Sequence, residues 1–395
     1  MPRRIGLWTV LGVGMVCCTE PHPMVTSEVT VTDSSGIPWV ELGALDGVAA
    51  EEWRVKEMFR ASDSNVELFR VSSARLLAEG PLLIGNAGNQ EVLVVGDGGK
   101  LMRRVGGEGD GPGEFRTVST LHEVSEGFLV YDARLGRLSH FDLSGSVVNT
   151  IALVPPNRVV DLVPLAMSPK GAGLAIYGEQ RIGGGEGIHQ DTTPLLRYSD
   201  PGQSPDTLGL WGSDEWNYSS PPGVRWVRSP VGFGRHLSAS ERSGRVVIGS
   251  TNSLDLTVFD STGTTLMRVV GTSSSRPATQ VDGEAWRAEL VASLPDGLPD
   301  VLLRAYQSAP YHNTYPAFED AVMDDQGNVW IGDGMAVEHR GRRWVVVSPK
   351  GEPLGYVVLP EDSKILDVAY GRVALKEQDP SGVEDVSVYT IDMGR

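Results

Sequence analysis

Residues 101–117, LMRRVGGEGDGPGEFRT, decide the fold, because they join the end of a strand to a glycine-rich loop closing on Gly-Pro-Gly-Glu-Phe. Just upstream, residues 81–97 read PLLIGNAGNQEVLVVGD: an apolar run, a Gly/Asn turn, a second apolar run and an Asp-Gly-Gly turn. Just downstream, residues 127–145, GFLVYDARLGRLSHFDLSG, repeat that layout. Short apolar runs separated by turn residues at regular spacing predict successive antiparallel strands. The loop at 106–115 is then the seam between two repeats of one sheet unit.

The closing turn of the layout recurs at Asp97–Lys100, Asp142–Gly145, Ser199–Gly202, Asp260–Gly263 and Ser348–Gly351. Asp or Ser opens such turns by accepting backbone hydrogen bonds, and Gly supplies the left-handed exit. Five turns predict five four-stranded units. Residues 365–392 hold ILDVAYG, RVALKEQ and VSVYTID, three strands of a sixth unit. Its fourth strand is assigned to residues 29–42, VTVTDSSGIPWVEL, where Asp33–Gly36 repeats the marker turn. Pairing that segment with the C-terminal strands would close a ring and remove open sheet edges. The alternative is a separate N-terminal strand docked elsewhere.

The loop 107–115, of the form Gly-x-Gly-x-Gly-Pro-Gly-Glu-Phe, and the layout around it resemble NHL-type repeats. They resemble more closely the six-bladed β-propeller lipoproteins of bacteria. The resemblance covers most of the chain after Val29 and is strongest at 106–115, 127–145 and 318–332, FEDAVMDDQGNVWIG. It implies an all-β fold over 29–395: a six-bladed β-propeller of four-stranded antiparallel blades, closed by an N-terminal strand. It brings no established activity with it.

Two stretches exceed the repeat spacing. Residues 180–193, QRIGGGEGIHQDTT, lengthen the polar turn between two strands of the third unit. Residues 281–307 place Ala, Leu and Val at helical spacing on either side of Pro295 and Pro299, which predicts a short helical insertion, about 281–310, between the fourth and fifth units. In such folds the turn between the second and third strands opens on the same face as the link to the next unit. Both insertions and the 106–115 loop are therefore expected on one face, where loops held by a rigid scaffold carry binding sites.

At 395 residues the chain exceeds a usual single core, a limit that repeat architectures escape because each unit buries its faces against its neighbours. A formal net charge of −17 argues against nucleic acid, whose binders neutralise phosphates with a basic surface. It suits cations or basic partners instead. Cys17 and Cys18 are the only cysteines, so the body after them has no disulfide and no thiol nucleophile. Arg3 and Arg4 followed by the apolar run Ile5–Val16 read as a signal peptide, too short to be a settled membrane helix. The end of that run, Met15–Cys18, resembles a lipobox. The resemblance implies lipidation at Cys18, behind the small Cys17, rather than at Cys17 behind Val16. It further implies a signal peptide at 1–18, a tether at 19–28 and a monomer anchored to the cell envelope, on the periplasmic face of the outer membrane in a Gram-negative cell; the alternatives are an ordinary cleaved signal and an unprocessed apolar tail.

No His-Glu-x-x-His, Gly-x-Ser-x-Gly or phosphate-loop motif is present. Glu114 and Phe115 are expected to lock neighbouring units. Residues expected on the binding face are Asn86, Asn89, Glu108, Asp110, Arg116, Asp132, Arg134, Asn252, Trp286 and Asp333. Asn86, Asn89, Asp132, Asp191, Asn252 and Asp333 could supply the many oxygens a hard cation such as Ca²⁺ wants. Gluconolactonase-type propellers hold a catalytic cation with this kind of set, although their motif does not match here residue by residue. His189 beside Asp191, and His312, are the candidates for proton transfer. The primary expectation is recognition of a small ligand or an envelope protein without catalysis. The alternative is a metal-dependent hydrolase or lactonase using carboxylates around the central channel, and a third reading, an assembly scaffold, predicts a large apolar patch.

Overall fold

A computed structural model describes residues 29–78, 80–153, 162–177, 185–224, 226–272, 276–295, 297–336, 341–379 and 381–394. Cys17, Cys18, the signal segment and the first part of the 180–193 insertion lie outside the described residues.

The described strands form six sheets, each starting from a strand that opens a sequence repeat. Sheet I begins with Val71–Leu76, II with Thr120–Val124, III with Leu162–Met167, IV with Leu237–Arg242, V with Ala321–Met323 and VI with Lys364–Ala369. Each first strand touches that of the next sheet, and Lys364–Ala369 returns to Val71–Leu76, so the succession closes on itself. The five marker turns all join third to fourth strands. In three of them the chemistry is the expected one: Asp142 Oδ1 accepts from Ser146 N at 2.9 Å, Asp260 Oδ1 from Thr264 N at 2.9 Å and Ser348 Oγ from Glu352 N at 3.1 Å, and Gly145, Gly263 and Gly351 follow at φ 80°, 87° and 85°.

The runs are apolar without alternation because both faces of each sheet are covered. Successive side chains point to opposite sides of a strand, so Leu82 and Ile84 pack toward sheet VI whereas Leu83 packs toward sheet II. Leu93 and Val95 divide in the same way from Val92 and Val94. The core is accordingly six apolar clusters, each filling the space between consecutive sheets. Phe115, fully buried, belongs to the I–II cluster and leans on Phe141 at 5.8 Å between ring centres. Gly106, at φ 90°, has to be glycine here, since a Cβ would stand 2.2 Å from the Phe115 ring. Trp330 is 2% exposed and belongs to the V–VI core.

Closure differs from the expectation placed on residues 29–42. Sheet VI takes its fourth strand from Arg54–Arg60, which pairs antiparallel with Glu384–Asp392 and buries Phe59 opposite Val388. The 29–42 segment does form the hairpin its turn encodes, with Gly36 N donating to Asp33 Oδ1 at 2.8 Å. That hairpin docks on sheet IV instead: Ile37–Leu42 runs parallel to Thr265–Gly271, with Val40 and Leu42 in the IV–V core. The turn sets the hairpin, and the apolar face of Val40 and Leu42 sets where it lands.

The 180–193 insertion also departs from a simple loop. Its described part starts at Gly185 and enters the strand Gly187–Tyr198, which pairs with Asp206–Ser219 from Gly187↔Tyr218 to Arg197↔Asp206. Ile188, Thr192 and Thr193 face a partner carrying Trp211, Trp216 and Tyr218, and such side chains favour the pleated state. Sheet III thereby gains a fifth strand, Val227–Pro230. The helical insertion takes the expected form, α1 at Gln280–Ala292 and α2 at Asp300–Gln307, between sheets IV and V. No helix among the described residues is long and apolar enough to cross a membrane.

Candidate functional site

Two regions concentrate ionisable side chains, the middle of the ring and a cleft under α1. In the middle, Arg75 of sheet I reaches Glu241 of sheet IV at 3.1 Å and Asp367 of sheet VI at 3.0 Å. Sheets I and IV stand opposite each other in the closed succession, so this network crosses the central channel. Arg242 donates to Asp367 Oδ2 at 3.1 Å, Glu123 Oε2 at 2.6 Å and the Leu76 carbonyl at 2.7 Å. Tyr370 adds a 2.9 Å bond to Glu123. The channel carboxylates are thus Glu123, Glu241 and Asp367, none of them anticipated, and each accepts from an arginine. A sequence signal existed: ionisable residues recurring within the first strands, at Arg75, His122–Glu123, Glu241–Arg242 and Asp367.

Thr120, His122 and Glu241 stand in series there, with Thr120 Oγ1 to His122 Nε2 at 3.0 Å and His122 Nδ1 to Glu241 Oε2 at 3.3 Å. Burial pushes the His122 imidazole below its ordinary value, toward the neutral form. Burial pushes the Glu241 carboxyl up, but its bond to His122 and the Arg75 charge outweigh that and hold it below the ordinary range. The His122 side chain is only 3% exposed, and Arg75 shares the same Glu241 oxygen. This makes the series a cross-channel tie.

The cleft, of about 710 Å³, lies between α1 and the connections of sheets IV and V. Thr279 and Asp282 cap α1 reciprocally, Asp282 Oδ2 accepting from Thr279 N at 2.7 Å. Those bonds hold the Asp282 carboxyl below its usual range. Residues three, four and seven positions apart share one helix face, so Asp282, Ala285, Trp286 and Glu289 all line the cleft. Gly283 lets α1 approach closely, because a Cβ would meet the Tyr311 ring at 2.3 Å.

Opposite Trp286 is Phe233, in the loop between Val227–Pro230 and Leu237–Arg242. Its ring centre is 6.5 Å from Trp286 and 4.5 Å from Tyr315. Phe233 has φ 54°, a left-handed backbone that bulky side chains avoid. The loop is pinned there by Gly232 N to the Pro310 carbonyl and His312 N to the Gly232 carbonyl, both at 2.9 Å, and by Arg235 Nη1 to the Phe233 carbonyl at 2.6 Å. Strained backbone persists only where its surroundings over-determine it, and it clusters at functional sites. Arg276 lies over Tyr315 at 3.9 Å and donates to the Gly334 carbonyl at 2.9 Å, while Arg342 pairs with Glu319.

The two insertions meet beside this cleft. α2 packs on Val227–Pro230, and His312 Nε2 contacts Glu215 Oε2 at 2.7 Å, joining the helical insertion to sheet III. His189 lies instead against Tyr218, at 5.8 Å between ring centres, with its Nε2 3.2 Å from the Gly185 carbonyl. Asp191 lies in that hairpin, and Gln190 bonds Asn252 through both side-chain amides at 3.0 and 2.9 Å. Trp286 and Asp333 share the cleft.

The remaining candidates are spread around the ring and mostly hold loops. Asn86 is fully buried, accepting from Phe69 N and donating to the Glu67 carbonyl and to Glu91. Asn89 is exposed in the turn after it. Asp132 accepts from four backbone N–H groups, those of Arg116, Thr117, Arg134 and Leu135, at 2.7 to 3.3 Å. Asp110 and the more distant Glu108 pair with Arg116 at 2.6 and 3.5 Å, and Glu114 accepts from Gly111 N at 2.8 Å. Among the described residues, no three His, Cys, Asp or Glu side chains are grouped to hold a metal ion.

No protein-family model and no curated protein match the chain. Among solved structures, it is similar to an exported-protein candidate from Bacteroides fragilis, with 10% identity, 87% of this chain and 95% of that one covered, and a TM-score of 0.44. It is similar to a DUF4221 family member from Bacteroides vulgatus, at 12% identity, 87% and 98% coverage and a TM-score of 0.43. A calcium-binding regucalcin from Agrobacterium tumefaciens matches at 11% identity, 88% and 98% coverage and a TM-score of 0.40. At these values the likenesses bring no activity, ligand or compartment to this chain.

Proposed function

We propose that the protein is an exported, lipid-anchored six-bladed β-propeller that binds a small ligand or a segment of an envelope protein in the α1 cleft, without catalysis. Six sheets in closed succession, with one apolar cluster at each junction, support the blade count. The observation that carries the binding reading is the strained, pinned Phe233 packed beside Trp286 in the lining of a cleft of about 710 Å³. An aromatic held at an unfavourable φ by several hydrogen bonds is presented for contact, and large concave sites with a few polar groups are where ligands bind. The binding-face set narrows on this reading to Trp286 and Asp333, joined by Phe233 and Tyr315. No specific observation favours the hydrolase reading, since each channel carboxylate is matched by an arginine.

A thermal-unfolding screen of the mature protein tests this, because a ligand that binds only the folded state raises the midpoint by mass action. Amino acids, amines, saccharides, lactones and Ca²⁺ form the panel, run against the wild type and Trp286→Ala. A hit that Trp286→Ala abolishes supports the cleft, and a hit it leaves intact moves the site elsewhere. A rise with Ca²⁺ followed by lactone hydrolysis would overturn the non-catalytic reading. For the anchor, Cys18→Ser is expected to shift the full chain from the membrane to the soluble fraction of a Gram-negative host, and Cys17→Ser is not.

A further inference from the structure

Resting on the reading of the α1 cleft as the binding site, we propose that its ligand is a small organic cation, an alkylammonium whose charged head sits against the contacting ring pair of Trp286 and Phe233. The lining holds Asp282, Glu289, Glu319, Asp333 and Glu361 against two guanidiniums, Arg276 and Arg342. Both guanidiniums are engaged, Arg342 with Glu319 and Arg276 with the Gly334 carbonyl and the face of Tyr315. Glu289 and Glu361, both exposed, have no ion pair or side-chain hydrogen bond among the described residues. Among the described residues the lining therefore carries more carboxylates than guanidiniums, beside the Trp286 and Phe233 rings.

Those two features select the same ligand chemistry. The face of an aromatic ring attracts a cation through its quadrupole, indole most strongly, and quaternary ammonium ligands are recognised this way. The cluster already does so internally: Arg276 covers Tyr315 at 3.9 Å and Arg287 lies over Tyr311 at 5.1 Å. Trp286 and Phe233 are the rings of the cluster with no guanidinium on them among the described contacts, and they flank the cleft. A neutral saccharide could stack on the rings and donate hydroxyls to the carboxylates but would gain nothing from their net charge, which attracts a cation at every position in the cleft, and an anion would be repelled. A volume of about 710 Å³ leaves room for a substituent beyond the ammonium head.

Isothermal titration of the mature protein with choline, its uncharged isostere 3,3-dimethylbutanol, methyl glucoside and acetate tests the class. Choline is expected to bind at least about ten-fold tighter than the isostere, more weakly as salt is raised, with the affinity lost in Trp286→Ala and reduced in Glu289→Gln. Equal binding of choline and isostere, or Trp286-dependent binding of the glucoside without choline, would overturn the cation proposal while leaving the cleft as the site. Binding by none of the probes would overturn the cation proposal, and the broader thermal screen then decides separately whether the cleft binds anything. Choline binding that neither variant weakens would place the cation elsewhere and overturn the proposal too.

Discussion

The channel and the α1 cleft both gather carboxylates and arginines, and they use them in opposite ways. In the channel every carboxylate accepts from Arg75 or Arg242, and Asp367 and Arg242 have side chains only 1% and 2% exposed. In the cleft Glu289 and Glu361 have no ion pair among the described residues, and the Trp286 and Phe233 rings carry no guanidinium there. Compensated and dry, charge ties first strands of separate sheets together. Uncompensated and wet, it becomes a field that a ligand can feel. Counting ionisable residues therefore finds both regions, and only their pairing separates structure from recognition.

The largest expected effect would break the channel side. Arg242→Ala removes the arginine shared by buried Asp367 and half-buried Glu123, and because Arg75 stays on Asp367 and Tyr370 on Glu123, the loss should fall at the lower end of the about 3–5 kcal/mol that breaking a buried pair costs. Urea unfolding should show that loss, with binding in the cleft unchanged in the folded fraction. A parallel fall in affinity would mean that the two regions are coupled. Next comes Asp132→Ala, which strands four backbone donors at the I–II seam. Charged hydrogen bonds are worth more than neutral ones, and the unpaired donors near the surface recover water, so about 2–3 kcal/mol is expected from the urea midpoint.

Asp132 also shows what the sequence could and could not say. Its place in a turn after an apolar strand was legible, as were the strand layout, the marker turns and the helical insertion, because all of these are local. Whether its oxygens face a cation or backbone N–H groups depends on the loop at 106–117 folding back over it, which no spacing encodes. Closure was illegible for the same reason. Asp33–Gly36 announces a hairpin at 29–42, whereas Arg54–Arg60, RVKEMFR, has no marker turn and closes sheet VI only because Phe59 finds the VI–I core. Phe233 was passed over because a positive φ on phenylalanine is imposed by tertiary hydrogen bonds. The flanking glycines in residues 232–234, Gly-Phe-Gly, were the available hint of an unusual backbone.

A smaller effect sharpens the channel side through pH. Burial lowers the His122 pKa from 6.5, so as pH falls below about 6.5 the unfolded chain takes up a proton that the folded protein refuses, and stability drops. Glu241, lowered from 4.5, adds a second loss that begins near and below that value, where the unfolded carboxyl is protonated first. His122→Gln should flatten the urea midpoint between pH 7 and 5 and leave the steeper acid loss in place. An unchanged slope in the variant would show that His122 is not the group that titrates in this window.

The smallest stability change is expected on the cleft side, at Phe233→Gly. Phenylalanine at φ 54° carries strain of about 1–3 kcal/mol, which glycine relieves at no steric penalty. The lost contact with Tyr315 at 4.5 Å and the greater freedom of glycine in the unfolded chain act in the opposite direction. The two terms are similar in size, so the melting midpoint should move by no more than a few degrees. Affinity for the cleft ligand should nevertheless fall at least about ten-fold, since one of the two open rings is gone. That outcome would mean the strain is maintained for contact with something outside the chain. A Phe233→Gly variant that melts far lower and binds as before would make the ring a packing residue, and the contrast between channel and cleft would lose its aromatic half.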